Sequence, residues 1–279
     1  MDSAKKKELM LWAARIRKEA LLAVKSAGSG HIGGSFSICD ILAVLYFDKM
    51  HVDPTDQDMK NRDRLVLSKG HCAPALYATL ALKGFFPVEH LSTLRTLESD
   101  LSGHVEIHVP GVDMSAGSLG QGLSTALGMA MYAKANHVGN RAFCIMGDGE
   151  IEEGQVWEAA MCAGFYKVDN LIAFVDNNNL QLDGTLDEIM SPYPIGEKFK
   201  AFGWNVIEID GHDVEQIADA VELASVVKGK PTVIVAHTIK GKGVSLFENN
   251  VDFHGGQPTK EQWPDCLAEL DAALAELEG

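Results

Sequence analysis

Basic residues are scarce in this 279-residue chain: 24 lysines and arginines stand against 39 aspartates and glutamates, a formal charge of -15. Nucleic acids and anionic membrane surfaces recruit basic patches, so neither is expected as a partner. Long apolar runs are missing as well. No membrane span is expected, and no signal peptide, since Met1-Asp-Ser-Ala-Lys-Lys-Lys opens the sequence with charge. The five cysteines, Cys39, Cys72, Cys144, Cys162 and Cys266, lack CxxC or zinc spacing. That argues against a disulfide framework or a zinc site and favours a reducing compartment, with the cytoplasm as the default. Repeats and low-complexity tracts are absent.

What is present is an ordinary globular content of 46% hydrophobic residues, enough for one α/β domain spanning 1–279 with a substantial core. Helices are expected over Lys5 to Lys25, Ser37 to Phe47, Ala73 to Lys83, Glu153 to Lys167 and Val214 to Val227, with another beginning near Ser118. An acidic amphipathic helix is expected from about Pro258 to the end, its apolar side carried by Trp263, Leu267, Leu270, Ala273, Leu274 and Leu277, free to pack on this domain or on a partner. Asn205 to Ile209 and Thr232 to Ala236 read as strands.

The most informative region lies between Arg141 and Asn178. Arg141 to Met146 and Asn170 to Asp176 are short apolar runs bounded by turn residues, and the helix between them lacks proline. Strand, helix, strand is one βαβ unit, which places Gly147-Asp148-Gly149 and Asn177-Asn178 side by side at the carboxyl edge of a parallel sheet. One carboxylate and one amide oxygen are hard ligands, too few to cage a cation alone. They suit Mg²⁺ completed by phosphate oxygens and water, although Ca²⁺ or Mn²⁺ would fit the same donors. Gly147 and Gly149 let backbone approach the phosphates. Gly28-Ser-Gly30-His-Ile-Gly33 matches the dinucleotide fingerprint by letter, but a helix and not a strand precedes it, so NAD binding is rejected and the glycines are expected to end that helix.

Gly147-Asp148-Gly149 followed by Asn178, 30 positions beyond the aspartate, resembles the thiamine diphosphate motif. Further segments match one branch of that cofactor family, the transketolases, over nearly the whole chain. They are Ser29-Gly-His31-Ile-Gly-Gly-Ser35, Leu67-Ser-Lys-Gly-His71 leading into Leu76-Tyr77, Gly103-His104-Val-Glu106, Gly117-Ser118-Leu119-Gly-Gln-Gly122 and Asp252-Phe-His254-Gly255. The resemblance implies a parallel sheet flanked by helices, the diphosphate-binding fold, with thiamine diphosphate carrying a two-carbon ketol unit from a ketose phosphate to an aldose. It implies that Asp148, Asn178 and the carbonyl of Leu180 hold the metal. Cofactor contacts would come from His71, Gly117, Ser118, Leu119, Gly147, Asp148, Gly149, Glu153, Asn178 and His254. His31, His71, His104 and His254 would line the substrate channel, and Glu153 would stand close to a proton relay. Glu153 equally fits a helix-terminal acid favoured by the dipole. Glu158 is expected at a subunit interface, and Glu150 and Glu152 in solvent or at that dipole. His51, His90, His108, His137, His212 and His237 are left as loop hydrogen-bonders, His237 being the least secure exclusion.

In the family, a glutamate from a separate pyrimidine-binding domain touches the aminopyrimidine ring, and no such domain follows here. The resemblance therefore implies the amino-terminal subunit of a split transketolase, inactive alone and assembled with a carboxyl-terminal subunit, two copies of each. Ile32, Val105 and Ser118 stand where proline is usual and leave room for an unusual sugar. Competing readings are another thiamine enzyme, such as a deoxyxylulose-phosphate synthase or a 2-oxo acid dehydrogenase subunit, and a non-enzymatic regulatory relative. Ser-Lys-Gly-His71 and the Gly117 segment fit transketolase better than the first. Asp148, Asn178 and four loop histidines together weigh against the second, because stability does not demand them.

Overall fold

The computed structural model describes residues 1–56 and 59–279. Five strands, β1 (Arg64–Leu67), β2 (Ala142–Gly147), β3 (Leu171–Asn177), β4 (Asn205–Asp210) and β5 (Thr232–His237), pair in the order β1-β2-β3-β5-β4, all parallel. The helices are α1 (Ser3–Ala27), α2 (Ile32–Ser37), α3 (Cys39–Val44), α4 (Ala73–Lys83), α5 (Gly122–Ala135), α6 (Gly154–Phe165), α7 (Leu186–Ile189), α8 (Ile195–Ala201), α9 (Val214–Val226) and α10 (Trp263–Glu278).

Successive strand residues point to opposite faces, and the two cores follow that alternation. Phe143, Ile145, Ile172, Phe174 and Ile234 join the core built with α1 to α4 and α9. Cys144, Met146, Ala173, Val175, Val233 and Val235 join the core built with α5, α6 and α8. Helices thus cover both faces, which is why the central strands read as unbroken apolar runs.

Local signals fix the ends of several elements. The Asp2 carboxylate accepts from the Lys5 N–H at 2.8 Å to start α1, and Gly28, in the left-handed region at φ 64°, ends it. Gly28 therefore terminates α1 and opens the loop of His31 as expected, whereas Gly33 lies inside α2.

Two expected helices need correction, and one strand was missed. The helix expected over Ser37 to Phe47 is broken: α2 ends at Ser37, Ile38 leaves the helical region, α3 follows, and a π-turn closes at Leu45–Lys49. Residues 32–46 are all buried, so no polar stripe marks the break in the sequence. The helix expected from near Ser118 starts at Gly122, because a turn through Gly120 is pinned by the Glu150 carboxylate and the Gly122 N–H donates to Ser68 Oγ at 3.0 Å. The first amide of α5 is thereby committed within the protein. Strand β1 was not expected at all; four residues are too few for periodicity to reveal. At the end of the chain, α10 begins at Trp263 and lies on α1, with Cys266 and Leu270 buried and Arg15 paired to Glu278 at 3.1 Å.

Candidate active site

The carboxyl ends of β1, β2, β3 and β5 open onto a cavity of about 430 Å³. Gly147 pairs with Asp176 across the β2–β3 ladder, so Asp148 leaves the sheet beside Asn177 and Asn178, as the βαβ unit requires. All three side chains are buried. Asp148 Oδ2 accepts from the Asn179 N–H at 2.6 Å and Asn177 Nδ2 at 3.2 Å, and Oδ1 accepts from the Gly149 N–H at 2.9 Å. Burial and the neighbouring Asp176 nevertheless push the Asp148 carboxyl up to about 6.

Asp176, fully buried, organises the floor. It is ion-paired with Lys69 and accepts from Ser37 Oγ at 2.6 Å and from Thr238 Oγ1 at 2.5 Å. It also accepts from Asn178 Nδ2 at 3.0 Å. That last bond fixes the Asn178 amide with its oxygen as the acceptor, which among the described residues takes the Leu180 N–H at 3.2 Å.

Above the floor the four histidines converge. His31 lies at 5.1 Å from His71, 5.6 Å from His254 and 5.8 Å from His104, ring centre to ring centre, and His71 stacks on His254 at 5.2 Å. Each sits on a braced turn. His31 caps α2, with Ser35 Oγ donating to its carbonyl at 2.6 Å; His71 lies in the turn Gly70–Cys72. Tyr77 Oη and Ser102 Oγ donate to the His104 carbonyl at 2.9 and 2.6 Å, which accounts for the Leu76-Tyr77 pair in the motif. His254 follows the turn Val251–Phe253. Burial, then Arg95 and His104, lower His31 to about 4; burial, then Lys240 and His31, lower His254 to about 3. Burial also lowers His71 and His104. All four rings are therefore neutral at pH 7, able to donate at one nitrogen and accept at the other.

Of the other expected residues, Gly117, Leu119, Gly147, Gly149, Glu153 and Leu180 line the same cavity. Glu153 is exposed there, at the start of α6, and caps no N–H with its side chain. Ser118 is exposed and does not line the cavity. His237 stands away from the cavity, exposed, with Nε2 3.3 Å from Glu208. His108 is also exposed.

Three residues escaped the sequence reading. Lys240 is buried in the cavity wall, where its ammonium donates to the carbonyls of Leu180 and Gln181 and contacts His254 Nδ1, each at 3.0 Å. Burial and the charge of Lys69 bring it down to about 8. Lys69 is the second. The third is Glu150, expected in solvent but 3% exposed: it accepts from the Gly120 N–H at 2.9 Å, the Gly147 N–H at 3.0 Å and Ser68 Oγ, tying three loops together. A buried lysine or glutamate carries the same letter as a surface one, so only the adjacent motifs hinted at them.

A parallel sheet with this donor set at its carboxyl edge has the architecture of thiamine diphosphate-binding α/β domains. The family model described as the thiamine diphosphate binding domain of transketolase matches residues 9–265. The 6-deoxy-6-sulfo-D-fructose transketolase subunit of Clostridium sp. (strain MSTE9) is 49% identical over 92% of this chain and 94% of its own length. An apulose-4-phosphate transketolase subunit of Phocaeicola vulgatus is 43% identical over 97% of this chain and 96% of its own. Among solved structures, the Campylobacter jejuni transketolase superposes with a TM-score of 0.89 at 32% identity, covering 99% of this chain but 46% of its own. The chain thus belongs to the transketolase family. It corresponds to that family's amino-terminal, thiamine diphosphate-binding part, a transferase subunit, and it spans less than half the length of the Campylobacter enzyme.

Proposed function

We propose that this chain supplies the diphosphate half of a two-chain transketolase that moves a two-carbon ketol group from a ketose phosphate to an aldose. The observation that carries the reading is the set of four neutral imidazoles gathered over the Asp148 and Asn178 pair. When bound, thiamine diphosphate supplies the carbon centre that accepts and releases the ketol unit.

This chain's own residues would bind and orient. Asp148, the Asn178 amide oxygen and the Leu180 carbonyl form the hard-oxygen set for Mg²⁺, with Ca²⁺ or Mn²⁺ as substitutes. Among the described residues no three His, Cys, Asp or Glu side chains gather as a metal site, so the cation would take its remaining ligands from the diphosphate and water. Lys240, in the same cavity wall, would face that anion. Its bond to the Leu180 carbonyl would yield when a cation claims that oxygen. Gly147, Gly149, Gly117 and Leu119 offer backbone to the cofactor, and Glu153 stands at the open side where a second chain would meet it. His31, His71, His104 and His254 would hold and move protons at the sugar hydroxyls and carbonyl.

We read residues 1–279 as one domain and the partner as a carboxyl-terminal subunit with the pyrimidine-binding half, assembled two plus two in the cytoplasm. The two relatives named for 6-deoxy-6-sulfo-D-fructose and for apulose 4-phosphate support a non-standard substrate here, as do Ile32, Val105 and Ser118. The reading is tested by titrating thiamine diphosphate with Mg²⁺ into the two-chain complex. Loss of a residue that merely supports a ligand weakens metal sites by about 10- to 100-fold, so Asp148→Ala should weaken binding by at least about 100-fold while leaving the fold intact. Undiminished binding by that variant would overturn the assignment.

A further inference from the structure

Lys240 is carried by a loop without regular secondary structure, residues 238–243, and yet its ammonium is placed within 3.0 Å of three acceptors. Something must hold that backbone. The Thr238 N–H donates to the Asn177 carbonyl at 3.1 Å and the Gly241 N–H to the Gly33 carbonyl at 3.0 Å. Between them, the Ile239 N–H donates to a side chain, His212 Nε2, at 2.8 Å.

A backbone amide can only donate, so Nε2 must accept. The imidazole is then neutral with its proton on Nδ1, and that proton goes to Asp40 Oδ2, 2.8 Å away. Asp40 is held in turn by the buried Arg17 guanidinium, through Nη1 at 3.2 Å and through Nη2, which also donates to the Phe36 carbonyl at 3.2 Å. The far end of the loop returns to the same arginine: at Gly243 the backbone lies against the Arg17 side chain, where an added Cβ would meet its Cδ at 3.1 Å. Arg17 in α1, Asp40 in α3 and His212 in the β4–α9 turn thereby anchor one loop at both ends. None of the three lines the cavity.

We propose that His212 is a positioning residue: backed by Asp40 and Arg17, it clamps the Ile239 amide and so fixes Lys240 in the cofactor cavity. The inference rests on the proposed function, in that Lys240 is taken to face the cofactor diphosphate. His212 touches neither cofactor nor sugar and acts only through the loop.

The test is a double-mutant cycle in the two-chain complex, reading thiamine diphosphate affinity with Mg²⁺ and hydrogen exchange at the Ile239 amide. His212→Leu removes the acceptor and is expected to weaken cofactor binding about tenfold, the scale of one lost hydrogen bond, and to deprotect that amide. His212→Gln retains an acceptor at the Nε2 position and is expected to restore both, which keeps the test open if the leucine variant does not fold. In a Lys240→Met background, His212→Leu should cost nothing further. An equal cost with and without Lys240 would show a role in general stability and overturn the clamp, as would undisturbed binding in His212→Leu. If Lys240→Met itself leaves cofactor affinity unchanged, the fault lies in the placement of Lys240 against the diphosphate, and the clamp falls with it.

Discussion

The histidines of the cavity carry a thermodynamic signature of their own. With folded-state values near 4 for His31 and near 3 for His254, against 6.5 in an unfolded chain, the native state takes up protons later than the unfolded one. Their contribution to stability is therefore intact above pH 6.5 and declines as the pH falls toward 4. His31→Gln should show a shallower loss of melting temperature between pH 6.5 and 4 than the parent chain, measured by thermal unfolding. An unchanged slope would mean that His31 is not held neutral. His104 is the most accessible to test for chemistry, because burial, then Arg95, keeps its ring neutral while its carbonyl and not its ring braces the turn. His104→Ala should bind thiamine diphosphate normally and turn over about 100-fold more slowly, the usual scale for a lost proton-transfer group. At this scale the histidines were legible because each sits in a short motif beside glycine, whereas Lys69, Glu150 and Lys240 were not. Their burial depends on strands far away in sequence, and a run such as Glu150-Ile-Glu152-Glu153 does not announce which acid turns inward.

At the level of elements, the cavity is made by loops that would drift apart without internal ties. Glu150 is the principal one, since its carboxylate joins the end of β2, the turn before α5 and Ser68 after β1. Glu150→Ala would strand two buried donors and one half-buried one and should cost about 2–4 kcal/mol of folding stability in denaturant unfolding, although no expected catalytic group is removed. A change below the error of the measurement would mean that these loops are held by other contacts. The close seat of Gly70 under the Ala116 carbonyl has the same purpose: a side chain there would collide with backbone, and the His71 turn could not approach the segment that carries Gly117. The βαβ unit could be read from sequence because its strands are long enough for composition to speak and its two loops end in recognisable turns. The broken helix between Ile32 and Val44 could not, since a segment buried on every side has no amphipathic period to interrupt.

Viewed as a whole molecule, the chain presents a cavity with one built wall and one open side. The floor and the histidine wall come from the sheet edge, while exposed Glu153, Leu119 and Leu182 border the space. The two relatives of similar length are themselves named as transketolase subunits, which supports the proposal that a partner's pyrimidine-binding half covers that side. Net charge, absent basic patches and scattered cysteines bound the class of partner; the expectation of a second chain came from the motifs, whose order along the chain resembles only the diphosphate half of the family. Dependence on a second chain is best tested without presuming a sugar. Exchange of the thiazolium C2 proton of thiamine diphosphate in D₂O, with Mg²⁺ present, should be followed for this chain alone and for this chain mixed with its pyrimidine-binding partner. Acceleration over free cofactor is expected only in the mixture and should be abolished by Asp148→Ala; acceleration by this chain alone, or none in the mixture, would contradict the need for a second chain.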